Sequence, residues 1–314
     1  MAFGTLYHLL RGIDFDKFVA AVTAQAPAKI AIAGALVVAG YSNLVFYDQF
    51  ALYTIGKRHI PFPIVAFASF TSYTIGHSLG AATLTCGLVR FRVYSTWNLT
   101  LVDIAKIAFM TGMTFWLGNI FTLGFAVART PDALGTIDHL PEYLNRLIGL
   151  GGLALIGCYL VWIARRPRIV GRDNWRIALP NPRSTLLQIG IGTVDRCLAS
   201  LSLFMLLPGS PAVGFTTVMI VFVIATLLGA ISHTPGSLGV VEAAILIGLP
   251  QYPREELLAI VLTFRVLDFF LPLIFATLMF GIRELCLVKR GSRGRSGDRL
   301  PESGSNLVRG SGAR

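Results

Sequence analysis

Charge is scarce in this chain. Of its 314 residues only 14% are Asp, Glu, Lys or Arg, and 54% are hydrophobic. Such a chain has apolar surface in excess, so it is not an intrinsically disordered polymer. Cysteine is also sparse. Cys86, Cys158, Cys197 and Cys286 lie in or beside apolar runs, without metal or redox spacing. They read as small apolar residues, and a disulfide framework is excluded. No H-E-x-x-H or related spacing is present, so His77 and His233 do not combine with Asp48 and Glu242 into a recognisable metal motif. No cofactor is implied. A cleavable signal pattern and an alternating strand–helix pattern are missing too.

What the sequence has in abundance is apolar runs of membrane-crossing length. They fall near 30–55, 62–85, 101–128, 144–163, 185–207, 212–233 and 256–282. The run 237–250 is too short for an ordinary span. Mean hydropathy is +0.68. The expected fold is an all-α polytopic integral membrane protein of about seven to eight transmembrane helices, with Gly/Pro-broken or re-entrant segments near 70–95 and 231–250. Residues 1–27 read as an amphipathic lead-in, 28–284 as the transmembrane domain, and 285–314 as a basic disordered tail.

The net charge of +11 is unevenly spread. The loop 164–183 carries six arginines against the single acid Asp173, and the tail 289–314 carries seven Lys and Arg against two acids. Excess Lys and Arg marks cytoplasmic segments, so both are expected on that side of an inner membrane. An even number of crossings must then separate them, which requires 236–250 to supply a fourth. The basic tail comes without a folded nucleic-acid motif, and no nucleic-acid partner is expected.

The stretch 231–246 carries the strongest local signal. An apolar run ends at His233; Pro235, Gly236 and Gly239 break it, and Glu242 follows among valines and alanines. Gly76 and Gly80 interrupt an earlier run beside His77, and the two stretches echo each other faintly. Paired broken segments in two halves of a membrane protein point to a transport site. Asp48, Asp195, Arg196, Glu242, Arg265 and Asp268 also lie within apolar runs. Each costs at least about 2.5–3.5 kcal/mol at a helix centre, so each must face protein or water. Arg265 and Asp268 share a helix face and can pair with each other. Asp195 and Arg196 are adjacent and expected to point apart. Arg90 and Arg92 have the fork geometry that suits phosphate, or serve as interfacial anchors. Gly76-His77-Ser78-Leu79-Gly80 fits G-x-S-x-G, but the lipase elbow needs a strand before it. A helix–helix contact through small residues is the plainer reading.

Taken together, Tyr47-Asp48, Ala68-Ser69-Phe70-Thr71 through Gly80, Val89-Arg90-Phe91-Arg92-Val93-Tyr94-Ser95, Thr114-Phe115-Trp116-Leu117-Gly118, Asp195 and Ser232 through Glu242 resemble the transmembrane flippase domain of lysylphosphatidylglycerol synthases (multiple peptide resistance factors) and its stand-alone relatives. The likeness runs from about Tyr47 to Phe275. It implies movement of anionic or aminoacylated phosphatidylglycerol between leaflets, with phospholipids as partners and Asp48, Arg90, Arg92, Glu242 and Arg265 at important positions. Ser237 stands where the family has a glycine, Val241 where it has an aromatic, and Phe264-Arg265-Val266-Leu267-Asp268 lacks the usual tyrosines. No synthase domain follows, so the chain is not expected to make lysyl-phosphatidylglycerol by itself, and a separate lipid-modifying enzyme or a second copy is an expected partner. Measured against the family pattern the chain starts late. The expected site comprises Asp48, His77, Arg90, Arg92, Asp195, His233, Glu242, Arg265 and Asp268. Arginines 90, 92 and 265 would hold phosphate, and the acids would face a lipid ammonium or balance the arginines. The alternatives are a membrane lipid hydrolase or transferase using Ser78 or the acids, and an accessory subunit whose buried charges only set packing.

Overall fold

In lipid, every backbone polar group must find its partner within the protein, and helices do this locally. The computed structural model obeys that constraint. It describes residues 15–78, 82–138, 140–166, 168–171, 176–232 and 234–297. The expected site residue His233 and the expected helix breaker Gly80 lie outside the described residues, as do residues 1–14 of the lead-in and 298–314 of the tail.

A short helix α1 (Phe15–Thr23) leads into α2 (Pro27–Thr54). Two shorter helices follow, α3 (Phe62–Ser78) and α4 (Ala82–Tyr94), then α5 (Leu101–Arg129), α6 (Asp132–Asp138) and α7 (Glu142–Arg165). The arginine-rich connection holds a two-residue antiparallel pair, Ile169–Val170 with Ile177–Ala178. Beyond it come α8 (Pro182–Leu206), α9 (Phe215–Ser232), α10 (Val240–Gly248), α11 (Arg254–Arg265) and α12 (Leu271–Gly297). One π turn, Val266–Phe270, joins the last two into a continuous rod. The rod runs through the boundary expected at 284/285.

Local chemistry fixes the helix starts. Pro27 and Pro182 sit in first turns, where an N–H is not needed. Asn181 caps α8 by accepting the Ser184 N–H at 2.8 Å. Thr100 and Asp103 cap α5 reciprocally: the Asp103 N–H donates to Thr100 Oγ1 at 3.2 Å, and the Thr100 N–H to Asp103 Oδ2 at 3.0 Å.

Among the described residues, six helical stretches are long and apolar enough to cross a bilayer: α2, α5, α7, α8, α9 and Arg254–Cys286. The span expected at 62–85 is instead divided into α3 and α4, which fold back on each other. They touch so closely that a Cβ on Gly76 would lie 2.2 Å from Cys86 Sγ. Gly76, expected to break a helix, is inside α3 and serves this contact. Both outer ends of the hairpin, at Ile60 and Tyr94, join one apolar cluster with Leu99, Ile177 and Phe280. α9 and α10 form the second hairpin, with Gly248 against Val221 and Gly229 against Ser237 and Val241. Its outer ends meet at the opposite end of the bundle. There Val213 and Leu249 cluster with Ile30, Leu207 and Tyr252, and Tyr252 Oη donates to the Pro211 carbonyl at 3.0 Å.

The second hairpin therefore dips in and returns by the same end. The hairpin adds no net crossing. Among the described residues α8 and the α11–α12 rod make the net crossings that follow the arginine loop. They leave the loop and the end of the rod at one end of the bundle, where Ile177 and Phe280 belong to one apolar cluster.

The halves are related by inversion. α2, the α3–α4 hairpin and α5 form one; α8, the α9–α10 hairpin and the α11–α12 rod form the other, entered from the opposite end. α2 and α8 pack antiparallel, joined by Asn43 Nδ2 donating to the Ile191 carbonyl at 2.9 Å and Ser202 Oγ donating to the Ala33 carbonyl at 3.0 Å. α5 and α8 cross where a Cβ on Gly118 would fall 2.5 Å from Gly192 Cα. Such small-residue crossings let backbones touch where no hydrophobic force drives helices together.

Candidate functional site

Each hairpin is tied to a long helix by one buried ion pair. In the first half Arg90, on α4, grips Asp48 of α2 with both prongs of its guanidinium. Nε donates to Oδ2 at 3.0 Å and Nη2 to Oδ1 at 2.7 Å. Tyr94 Oη donates to the same carboxylate at 3.2 Å, and the Tyr73 ring lies 4.7 Å from the guanidinium carbon. Asp48 is 0% exposed and Arg90 2%. In this conformation the two charges match each other within the protein.

In the second half the carboxylate and arginine exchange places. Arg265 Nε donates to Glu242 Oε1 at 2.6 Å. The rest of its fork holds the break itself, Nη1 donating to the Gly236 carbonyl at 3.0 Å and Nη2 to the Ser237 carbonyl at 3.3 Å. Glu242 Oε2 accepts the Gly239 N–H at 2.6 Å. Pro235, Gly236 and Gly239 do occupy the break as expected, and Gly236 takes φ 60 there. The carbonyls released by that break find their partners in an arginine, as a membrane interior demands. Arg265 thus pairs with Glu242 and not with Asp268.

Arg92 stands apart from both. Its Nε and Nη2 donate to Glu284 Oε2 at 3.0 and 2.5 Å, at the exposed end of the bundle. Arg90, Arg92 and Arg265 therefore form three separate pairs and no common phosphate cradle.

A third group lies between the hairpins. Arg196 bends back along α8, and its Nε and Nη2 both donate to Oδ2 of the neighbouring Asp195. The two side chains, expected to diverge, converge because an arginine stem is long enough to curl. Tyr47 Oη donates to the same oxygen at 3.3 Å, and the Phe115 ring lies 5.5 Å from the guanidinium. Asp268 is on the π turn, a helix irregularity frequent at functional sites. Its carbonyl accepts Tyr41 Oη at 2.9 Å. Its carboxylate feels the charges of Arg265, Arg196 and Asp195, yet makes no ion pair among the described residues. His77 stacks on Tyr73 at 5.9 Å, and its Nδ1 donates to the Tyr73 carbonyl at 2.7 Å.

His77 is exposed, and Arg196 and Asp268 are part-buried. With Asp195 they form one polar cluster of interacting charges. The Pro235–Ser237 turn of the second hairpin packs against α3, the helix that carries His77. Of the expected site residues, the structure brings His77, Asp195 and Asp268 together and assigns Asp48, Arg90, Glu242 and Arg265 to the two ties. Tyr41 and Tyr73 were not anticipated; tyrosine far from the ends of a membrane-length helix was the available signal, since it normally favours the interface. Among the described residues no three of His, Cys, Asp and Glu converge as metal ligands. Ser78 closes a helix, donating from Oγ to the Thr74 carbonyl at 2.8 Å, and α3 rather than a strand precedes it.

No family model matches the chain. A Synechocystis protein named "Uncharacterized protein slr0712" is 31% identical over 298 residues, covering 95% of this chain and 92% of that one. "Inner membrane protein YbhN" of Escherichia coli is 28% identical over 255 residues, 79% of this chain and 78% of its own length. A shorter stretch of 69 residues, 21% of this chain, is 36% identical to 8% of "Phosphatidylglycerol lysyltransferase" from Staphylococcus haemolyticus. The multi-pass architecture agrees with the match to an inner membrane protein, and the chain belongs to the family of the Synechocystis protein.

Proposed function

We propose that the chain carries phospholipid headgroups across an inner membrane, as a flippase-like transporter of anionic or aminoacylated phosphatidylglycerol. The observation behind this is the polar cluster of His77, Asp195, Arg196 and Asp268 between two inverted hairpins, which we read as a recess; among the described residues the Asp268 carboxylate beside Arg196 has no ion-pair partner. Inverted repeats with broken helices at their junction are the recurrent architecture of alternating access. Arg196 suits a phosphate, and Asp195, Asp268 and His77 suit the hydroxyls or ammonium of the headgroup. The match to an inner membrane protein and the short match to a lysyltransferase support the same direction. In this reading Asp48–Arg90 and Glu242–Arg265 hold the hairpins, and the Arg92–Glu284 pair latches one end, the cytoplasmic one by its charge.

Translocation in liposomes tests it. Headgroup-labelled phosphatidylglycerol in the inner leaflet becomes accessible to an impermeant quencher only when moved outward. The wild-type protein accelerates this, and Arg196→Gln slows it at least tenfold while the protein stays folded. Equal rates in the variant would remove the recess from the path; no acceleration by the wild type would remove transport of this lipid.

A further inference from the structure

Threonine in a membrane helix normally quiets its hydroxyl by donating to the carbonyl one turn back. This chain follows the habit at Thr54, Thr74, Thr114, Thr130 and Thr263, each bonded to residue i−4 at 2.7–3.0 Å. Thr122 and Thr193 do not. Both hydroxyls are buried and without a hydrogen-bond partner among the described residues, and Thr122 is only 2% exposed. An unmade hydrogen bond on a buried polar atom costs about 1–3 kcal/mol, so each such atom asks for an explanation.

The two threonines come from different helices, α5 and α8, yet line one crevice. It encloses about 360 Å³ and is closed on its third side by α9. That volume is within the range of small-ligand sites. Its walls are otherwise mostly apolar, with Phe121, Phe125, Phe215 and Met219 among them. Arg129 stands on its rim, two turns beyond Thr122 on the same helix, and among the described residues no carboxylate pairs with it. Among the described residues the crevice therefore presents an apolar wall, two unpartnered hydroxyls and one guanidinium without an ion pair. Each of the three helices is long and apolar enough to cross a bilayer.

We infer that this crevice is a binding site for one anionic glycerophospholipid taken from the surrounding leaflet. One acyl chain lies against the phenylalanines, Thr122 and Thr193 donate to the ester carbonyls, and Arg129 pairs with the phosphate region. An apolar wall, hydroxyl donors and a cation on membrane-length helices match the acyl chain, ester carbonyls and anionic headgroup of such a lipid. The site is distinct from the recess: Thr193 and Cys197 line the crevice, whereas Asp195 and Arg196 of the same helix make their contacts with Tyr47 and Phe115. It does not depend on the protein being a transporter.

Native mass spectrometry of the purified protein, titrated with phosphatidylglycerol or phosphatidylcholine, tests this directly. The wild type is expected to retain one phosphatidylglycerol at concentrations where phosphatidylcholine is retained several-fold less. Thr122→Val with Thr193→Val keeps the volume and removes the donors, and lowers retention of both lipids at least fivefold. Arg129→Gln, at an exposed position, removes the preference for the anionic lipid. Thr193→Phe fills the crevice and abolishes the retained copy, a check that does not rely on hydroxyl chemistry. Retention that is unchanged in all three variants, or equal for the two lipids in the wild type, overturns the inference. Translocation measured on the same variants keeps the result separate from the proposed function, which fails or stands on Arg196.

Discussion

The Asp48–Arg90 tie offers a quantitative test of what the buried charges are for. If Arg90 held substrate phosphate, removing Asp48 would leave an arginine that still has a function. If the pair is a structural tie, Asp48→Asn strands a guanidinium that is 2% exposed. Asp48 accepts three hydrogen bonds, two from Arg90 and one from Tyr94. Breaking one side of a buried pair costs about 3–5 kcal/mol, whereas replacing both sides by apolar residues of similar size is near neutral or stabilising. The single variants Asp48→Asn and Arg90→Met should therefore each lose about 3–5 kcal/mol, a shift of roughly two to three and a half powers of ten in the folding equilibrium. Asp48→Leu with Arg90→Met should recover most of that loss, with a coupling energy above about 2 kcal/mol. Reversible unfolding in mixed micelles measures the stabilities, and liposome translocation on the same proteins shows whether the double variant still transports. A single-variant cost below about 1 kcal/mol, or a double variant as damaged as the sum, would refute the structural reading.

Further consequences follow from the same geometry. Glu242→Gln loosens the second hairpin and frees the Gly236 and Ser237 carbonyls from Arg265, so amide exchange across 234–242 rises while α5 and α8 stay protected. Gly236→Ala is strained at φ 60 and places a Cβ 2.8 Å from Phe269, so its thermal midpoint falls by several degrees in a scan of detergent-solubilised protein. Gly192→Leu forces α5 and α8 apart, because a Cβ there already meets the Thr114 carbonyl oxygen at 2.6 Å; the expected outcome is failure to accumulate as a monodisperse protein on size exclusion. Arg92→Ala leaves the unfolding midpoint unchanged, since the pair with Glu284 is solvated.

The membrane class, the positions of the long helices and the break at Pro235–Gly239 were legible in the sequence because each has a local cause: apolar length, a missing N–H, a positive φ. The second half of each hairpin was not. α3 and α4 read as one span since nothing local distinguishes a helix that crosses from one that turns back; the distinction is made by Gly76 meeting Cys86. The same holds for α9, whose return through α10 is fixed by Gly248 meeting Val221. The buried charges were visible as charges in apolar runs, but their pairing is a long-range property. Asp48 finds Arg90 from 42 residues away, and Glu242 finds Arg265 from 23. The faint echo between 75–80 and 231–239 pointed to the two hairpins, though only the three-dimensional arrangement shows that they enter from opposite ends.

Aqueous access to the recess from both faces of the membrane is the most direct test of the account. A His77→Cys protein, with exposed Cys158 and Cys286 and part-buried Cys197 replaced, can be treated with an impermeant thiol reagent in vesicles of either orientation. Modification from both sides is expected, slowed by phosphatidylglycerol. A thiol that reacts from neither side, yet reacts once the protein is unfolded, would contradict it.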